Sequence, residues 1–274
     1  MASVNRRVLP GFSLTLGYTV FYLSVLVLLP ITACFLKAGS LSWHEFSHAV
    51  WSARARAAYL LTFGASFAAA VVNLALGLLL GWVLVRYQFP GKRLVDSLVD
   101  LPLALPTAVG GLVYASLYVE KGWLGRWLVP LGIKGAYTRF GIVLVLVFVG
   151  LPFVVRTVQP ILEDLDPEYE DAGASLGGTR WQTFRNVILP TLKPALITGF
   201  ALAFARGVGE YGSVVFVSGN MPYRTEIAPI LIVARLEEFA YSEATAIAVV
   251  LLVISFAMLV LINLLERRSL RHER

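Results

Sequence analysis

Two histidines and a glutamate in the pattern His-Glu-x-x-His carry the most recognisable chemistry in this sequence, at His44, Glu45 and His48. On a helix the two imidazoles share one face and can bind zinc, with the glutamate as the general base of a metalloprotease. Such a catalytic site needs a third protein ligand. The next glutamate is Glu120, and the remaining histidine, His272, lies in the terminal tail. We therefore predict no metal site and keep a membrane zinc metalloprotease as the alternative from a different class.

Two opposite charges inside an apolar segment, Arg206 and Glu210, form the second candidate. If the membrane-spanning helix begins at Ala195, Arg206 lies about 16 Å along it, near the middle of the bilayer. A charge at that depth is costly, so it is either paired or faces a polar path. Glu210 is one turn away and can supply an ion pair. Two interpretations stay open, namely a self-contained ion pair and an arginine that lines the path of an anion. Three glycines would let another helix approach closely: Gly207, Gly209 and Gly212.

The composition limits the class of protein. The chain has 274 residues, of which 58% are hydrophobic and 15% charged, which excludes an ordinary soluble domain and indicates a polytopic membrane protein. A single cysteine, Cys34, excludes an internal disulfide and a cysteine-based metal site. The sequence has no basic cluster with interleaved aromatic residues, so nothing in it indicates nucleic-acid binding. The sequence has no G-x-x-x-x-G-K-[ST] motif, so we expect no catalysis and no cofactor, and any ATP chemistry must belong to another subunit.

Apolar runs predict an all-α membrane protein with six transmembrane helices in one domain over residues 1–274. The third run contains Asp100, Pro102 and Pro106, which predicts a broken helix. A broken helix is tolerated in a membrane only beside protein or a water-filled path. The fourth run is short and is expected to end before Arg156. The predicted spans are Phe12–Phe35, Ala57–Val85, Leu98–Val119, Phe140–Val155, Ala195–Val217 and Ala244–Leu265.

The distribution of Lys and Arg predicts the orientation. Six spans place both termini on one side of the membrane, together with a basic turn at 86–93 and a polar stretch at about 161–194. Lys and Arg are moderately enriched on that side, so we expect these segments and both termini to be cytoplasmic. On the other side we expect a polar connecting loop over residues 36–56, with Trp43 and Trp51 as anchors at the membrane interface.

The polar stretch between the fourth and fifth runs has a helical pattern of its own. Asp166 and Pro167 suit the N-cap and the first position of a helix, and Gly177 with Gly178 should end it. Four residues are expected to share one face of this helix at helical spacing: Tyr169, Ala172, Gly173 and Leu176.

A second short helix is predicted directly after the glycines. Thr179 and Gln182 have the spacing of a capping box, and Pro190 is expected to end the helix. Two short amphipathic helices joined by a glycine corner indicate a loop that is contacted by another protein on the same side of the membrane.

This stretch resembles the EAA loop of the permeases of ATP-binding-cassette (ABC) importers. The likeness rests on Asp171-Ala172-Gly173, on Gly177 and on the closing Val187-Ile188-Leu189-Pro190, at the family's spacing. The sequence departs from the pattern by Asp171 for Glu, Gly173 for Ala and Val187 for Ile. The resemblance implies a type I importer permease whose loop seats a coupling helix in a groove of the ATPase subunit. It assigns this coupling to seven residues: Tyr169, Glu170, Asp171, Ala172, Gly173, Leu176 and Gly177.

Further segments are similar to the T-type permeases of sulfate/thiosulfate importers, and this likeness runs over nearly the whole chain. It implies a non-catalytic subunit in a bacterial-type inner membrane, surrounded by lipid. The implied partners are a W-type permease, two cytoplasmic ATPase subunits and a periplasmic sulfate- or thiosulfate-binding protein. A molybdate permease, which carries another oxyanion, stays open as the alternative. The segments that carry the likeness are Arg7–Phe12, Arg86–Gly91, Asp100–Ala108, Pro152–Pro160 and Arg206–Gly212.

Overall fold

The computed structural model describes residues 12–166 and 168–271, and no strand occurs within those ranges. Pro167, His272 and most of the Arg7–Phe12 segment lie outside the described residues. The helices are α1 (Phe12–Leu23), α2 (Leu29–Gly39), α3 (Trp43–Trp51), α4 (Ala53–Arg86), α5 (Lys92–Val99), α6 (Leu101–Ala104), α7 (Thr107–Tyr118), α8 (Gly125–Leu128), α9 (Arg139–Asp164), α10 (Glu168–Ser175), α11 (Arg180–Thr183), α12 (Leu189–Val208), α13 (Val214–Val217), α14 (Ala228–Glu237) and α15 (Tyr241–Arg271). Ser24–Leu28 and Phe184–Ile188 are π-helical turns, and Val129–Leu131 is a 3-10 turn.

Five helical segments in the described ranges are long and apolar enough to cross a membrane. They are Leu14–Gly39, Ala53–Arg86, Arg139–Asp164, Arg180–Val208 and Tyr241–Leu264. The third predicted span is broken, as the sequence indicates. It forms α5, α6 and α7, with interruptions at Asp100 and at Leu105-Pro106.

Contacts at the helix ends show that the broken segment must still run the length of the bundle. At one end, Arg86, the last residue of α4, donates a 3.3 Å hydrogen bond to the carbonyl oxygen of Leu165, just after α9. At the other end, Arg54 near the start of α4 binds Glu226 at 2.7 Å, and Arg139 at the start of α9 binds the neighbouring backbone oxygen of Arg224 at 2.8 Å. Helices α4 and α9 are therefore parallel, and the chain from 87 to 138 returns from one end to the other. We call the end with Arg86 and Leu165 the loop end of the bundle.

The core forms where α4, α9 and α12 pack against one another. One cluster joins Ala70 of α4, Val154 of α9 and Phe204 of α12, all buried. Helix α15 starts at the opposite end, where Ile247 packs with Tyr59, and its later residues Met258 and Ile262 join the loop-end cluster. Because α15 runs toward the loop end, its last described turns lie at the same end as the loop between α9 and α12.

Two predicted helix boundaries are wrong. The fourth span was expected to end before Arg156, but α9 continues to Asp164. Arginine is a good helix former, so its charge does not end the helix. Its side chain binds Asp96 and Asp100 of the broken segment. Likewise, Pro190 does not end the second loop helix. It lies in the first turn of α12, where a missing backbone N–H is tolerated, directly after the π-helical turn.

The predicted connecting loop over residues 36–56 is mostly helical. It contains the end of α2, all of α3 and the start of α4. Trp43 and Trp51, predicted as interface anchors, are both strongly exposed on α3. The fifth span also differs from the prediction, since α12 ends at Val208 and only the short α13 continues it.

Candidate functional site

The loop between α9 and α12 has the two capped helices that the sequence predicts. The Asp166 carboxylate accepts a hydrogen bond from the Glu168 backbone N–H at 3.0 Å. Gly177 adopts φ +77°, the left-handed conformation that ends α10. The capping box of α11 is complete, with the Gln182 N–H donating to Thr179 Oγ1 at 3.3 Å and the Thr179 N–H donating to Gln182 Oε1 at 2.7 Å. Backbone conformation and caps thus make this loop an ordered element.

The large apolar side chains of α10 and of Leu176 directly after it point away from the protein. Leu176 is 89% exposed and Tyr169 is 55% exposed, and Ala172 and Asp171 are exposed beside them. Gly173, which was expected on the same face, turns inward instead. A Cβ atom at Gly173 would lie 2.6 Å from Thr183 Oγ1, so glycine lets the two loop helices touch. The outward face is therefore Tyr169, Ala172 and Leu176, and we call it the loop face.

Arg86 holds the loop against α4. Its Nη2 lies 2.9 Å from Glu170 Oε1 and also donates to the carbonyl oxygen of Leu165. Its guanidinium lies 5.7 Å from the ring centre of Trp82, one turn earlier in α4. The Trp82 ring in turn meets Phe184, edge to face, with ring centres 5.8 Å apart. This cluster joins both ends of the loop to one transmembrane helix, and the sequence did not predict it, although Arg86 was noted in the basic turn.

Arg206 and Glu210 form the ion pair expected from their i,i+4 spacing. The Glu210 carboxylate is 1% exposed and also accepts hydrogen bonds from Ser213, from the backbone N–H at 2.9 Å and from the hydroxyl at 2.8 Å. The Arg206 side chain is 31% exposed. Arg206 was expected near mid-span, but it lies in the last turn of α12, since the helix ends at Val208. The ion pair therefore lies at the C-terminal end of α12. The hydrogen bonds from Ser213 to Glu210 connect this end to the segment before α13.

The broken third segment packs directly on this helix end. A Cβ atom at Gly111 would lie 2.2 Å from the backbone oxygen of Ser213, and one at Gly212 would lie 2.2 Å from Thr107 Oγ1. Gly207 faces Ser66 of α4, with a corresponding distance of 3.1 Å to the hydroxyl. Of the three glycines expected to admit another segment, Gly207 and Gly212 do so. Gly209 meets only its own helix.

A second polar cluster ties the broken segment to α9. The Arg156 guanidinium contacts both carboxylate oxygens of Asp100, at 2.9 and 2.6 Å, and that of Asp96 at 2.7 Å. It also donates to the side-chain oxygen of Gln159 at 2.6 Å. Charge-assisted bonds from a planar guanidinium fix orientation as well as distance. Asp100, where α5 gives way to α6, is therefore held to α9 at the point where the helix is interrupted.

Comparison with known proteins places this architecture in a family. Residues 73–271 match the model of the binding-protein-dependent transport system inner membrane component. The chain belongs to this permease family.

Sequence relatives extend the likeness over nearly the whole permease. This chain is 47% identical to the sulfate transport system permease protein CysT of Escherichia coli K12, over 96% of this chain and 95% of the relative. It is 49% identical to the protein of the same name from Synechococcus elongatus, over 99% and 98% of the two chains. The resemblance to sulfate-importer permeases that the sequence indicates is therefore confirmed.

Solved structures show the same fold. A bacterial ABC transporter that imports alginate matches with a TM-score of 0.77 at 15% identity, covering 94% of this chain and 95% of the other. The MetNI methionine transporter matches with a TM-score of 0.53 at 21% identity, covering 85% and 99%. The protein is thus an all-α inner-membrane permease subunit of an ABC importer, with the type I fold. It is the transport component and not the ATP-hydrolysing one.

The zinc protease alternative does not fit the permease. Glu45 is the partner of Ser42 in the capping box of α3, accepting from the Ser42 hydroxyl at 2.7 Å and from its N–H at 2.9 Å. The Ser42 hydroxyl and then the Ser42 N–H hold the pKa of this carboxyl below its ordinary value. Both Ser42 bonds go to the Glu45 carboxylate, so the structure shows Glu45 as the cap of α3. No group of three His, Cys, Asp or Glu side chains in the described ranges is placed to hold a metal.

Proposed function

We propose that this permease carries sulfate, and thiosulfate, across the inner membrane. The observation that carries the proposal is the likeness at 47–49% identity over nearly the whole chain to proteins named sulfate transport permeases. The region that aligns with these proteins includes the broken third segment, the helix end at Arg206 and the loop face. The chemistry is compatible with an anionic cargo, because Arg206 is partly exposed beside a buried carboxylate that neutralises it.

We also propose the assembly that such an importer requires. A second, W-type permease supplies the other half of the path, two cytoplasmic ATPase subunits drive the transport, and a periplasmic protein delivers the anion. The family description names binding-protein dependence, and one structural relative was solved with its periplasmic protein bound. An exposed leucine and tyrosine on a rigid capped loop support a protein contact at the loop face.

In this proposal the coupling residues divide into two groups. Tyr169, Ala172 and Leu176 contact the ATPase subunit, together with the exposed carboxylate of Asp171. Glu170 faces inward and passes movement of the loop to Arg86 and so to α4. Gly173 and Gly177 shape the loop, through the contact with Thr183 and the left-handed turn.

Arg206 and Glu210 are proposed to line or gate the path. In the structure the pair is closed, and a dianion would be repelled by Glu210 if that carboxylate were free. The Arg206 side chain is 31% exposed, and we propose that it approaches the anion while it stays paired with Glu210. A positive group at this position offsets some of the cost of removing the anion from water.

Uptake by the assembled complex tests the substrate. The permease pair, the ATPase and the binding protein are placed in vesicles, and entry of radiolabelled sulfate is measured with and without ATP. We expect ATP-dependent uptake that unlabelled sulfate and thiosulfate suppress and that molybdate suppresses weakly. Suppression by molybdate at lower concentration than by sulfate would make the protein a molybdate permease instead.

The orientation is a separate proposal. The loop end, with the basic turn at 86–93, is proposed to face the cytoplasm with both termini, and the connections at 120–139 and 218–243 to face the periplasm. Single cysteines at Gln88 and Met221, both exposed, are introduced in a Cys34→Ser background. A membrane-impermeant thiol reagent should label them from opposite sides. Labelling from one side only would contradict the six-crossing arrangement.

A further inference from the structure

The end of the bundle opposite the loop carries a pair of histidines to which the proposed function gives no role. His44 and His48 are exposed on the same face of α3, with ring centres 6.4 Å apart and ring planes within 18° of each other. They line a cleft of about 490 Å³ between α3 and the connection from α14 to α15. The two imidazoles thus lie side by side on an open surface.

The helix that carries them is held rigidly. Its opposite face buries Ala49 and Val50 against Ala246 of α15, and the Ser42–Glu45 capping box fixes its first turn. Because the packing against α15 and the capping box both hold the backbone of α3, the helix itself sets the spacing of the two imidazoles. Only side-chain rotation is needed to bring one nitrogen of each ring toward a common point, and exposed side chains rotate readily.

We propose that His44 and His48 bind a divalent transition metal ion, of the class of Cu²⁺, Ni²⁺ or Zn²⁺, as a two-imidazole chelate completed by water. Imidazole suits these ions, and histidines four residues apart on a helix present their rings to one ion. Within the described residues, no group of three His, Cys, Asp or Glu side chains could hold a metal ion, so these histidines have no third protein ligand. The site is therefore an exchangeable surface site and not a catalytic centre.

The charges around the cleft favour a cation only moderately. Glu45 and Glu243 line it, and the Glu243 carboxylate also lies 3.5 Å from Arg235. Lys37 lines the same cleft and opposes a cation. Affinity then comes mainly from the imidazole nitrogens, which must be neutral to bind.

Copper binding to the purified complex tests the proposal. The complex carries no histidine tag, and its permease has Cys34→Ser and His272→Asn to remove other ligands on this chain. Cu²⁺ alone is titrated, and electron paramagnetic resonance counts the nitrogen ligands. The same complex with His44→Asn and His48→Asn together gives the background from the partner subunits. We expect one additional Cu²⁺ with two imidazole nitrogens in the parent, and affinity weaker by roughly 10- to 100-fold in each single variant, because the chelate is lost.

A matched control keeps the number of histidines and changes only their spacing. Trp43→His with His48→Asn places two imidazoles at adjacent helical positions, about 100° apart around the helix. This variant should bind Cu²⁺ no better than His48→Asn alone. Binding that is equal in the parent and in the double asparagine variant would overturn the proposal, as would a spacing control as tight as the parent. His44→Gln with His48→Gln, which preserves side-chain size, replaces the double asparagine variant if that complex does not assemble.

Discussion

Two arginine–glutamate pairs in this permease have the same chemistry and opposite settings. Arg206 and Glu210 lie one turn apart at the end of α12, and the carboxylate is buried and fully hydrogen-bonded. Arg86 and Glu170 lie far apart in sequence and join α4 to the loop, and their side chains are 16% and 37% exposed. The first pair neutralises a charge within one segment, whereas the second holds two segments together.

This difference predicts which property of the complex changes when one residue of each pair is replaced. Removing one partner of a buried pair leaves an uncompensated charge, which costs about 3–5 kcal/mol. Removing one partner of a partly exposed pair costs less, because water can solvate part of the side chain that remains. The buried pair should therefore affect assembly and transport together. The exposed pair should affect mainly the position of the loop.

The largest effect is expected at the buried pair. Arg206→Ala leaves Glu210 with only Ser213 as a partner, so the amount of assembled complex and sulfate uptake should both fall strongly. Arg206→Ala with Glu210→Ala removes both charges and should restore assembly. If Arg206 also serves the anion, uptake stays low in the assembled double variant. Uptake and assembly are measured on the same vesicles.

The double variant decides between the two interpretations of Arg206. Near-normal sulfate uptake with both residues replaced would show that the pair is structural only. Arg206→Lys with Glu210 intact is the matched control, because it keeps the charge and tests whether the planar guanidinium is needed.

A smaller effect is expected at the pair that holds the loop. Arg86→Ala should lower coupled uptake more than Glu170→Gln, because Arg86 also binds the Leu165 carbonyl and lies against Trp82. Membrane insertion should be unchanged in both. Sulfate-stimulated ATPase activity and uptake are measured together, and we expect their ratio to change by about fivefold, equivalent to about 1 kcal/mol.

The charge-reversed variant Arg86→Glu with Glu170→Arg provides the control for that pair. It should recover part of the ratio if the ion pair carries the connection. Equal ratios in Arg86→Ala and the parent would show that α4 and the loop are joined by the aromatic contacts alone.

A substitution at Gly177 sharpens the comparison, because it alters the geometry of the loop without altering its charge. Gly177→Val forces a β-branched residue into the left-handed conformation, at about 1–2 kcal/mol, and should misdirect α11. We expect reduced uptake with normal insertion. Gly177→Asn is the control, since Asn tolerates this conformation. Normal uptake in the valine variant would contradict the requirement for this turn.

Short-range features of this protein followed from the sequence. The capping boxes at Ser42–Glu45 and Thr179–Gln182 depend on residues three apart, although only the second was predicted. The left-handed turn at Gly177 and the i,i+4 pair of Arg206 also depend on neighbours along the chain. The broken third span was predicted from Asp100, Pro102 and Pro106, and the helix is interrupted at Asp100 and at Leu105-Pro106. Proline alone does not decide a break, since α9 continues through Pro152 and Pro160.

Features that join distant segments were decided only by the tertiary structure. Arg156 was predicted to end the fourth span because a charge usually leaves the membrane, but α9 continues to Asp164 and Arg156 binds two aspartates from another segment. Gly173 was placed on the apolar face by its spacing. Only the tertiary structure shows that Thr183 of the second loop helix packs against it. The contact of Arg86 with Glu170 could not be predicted, because periodicity along one helix holds no information about which other helix lies beside it.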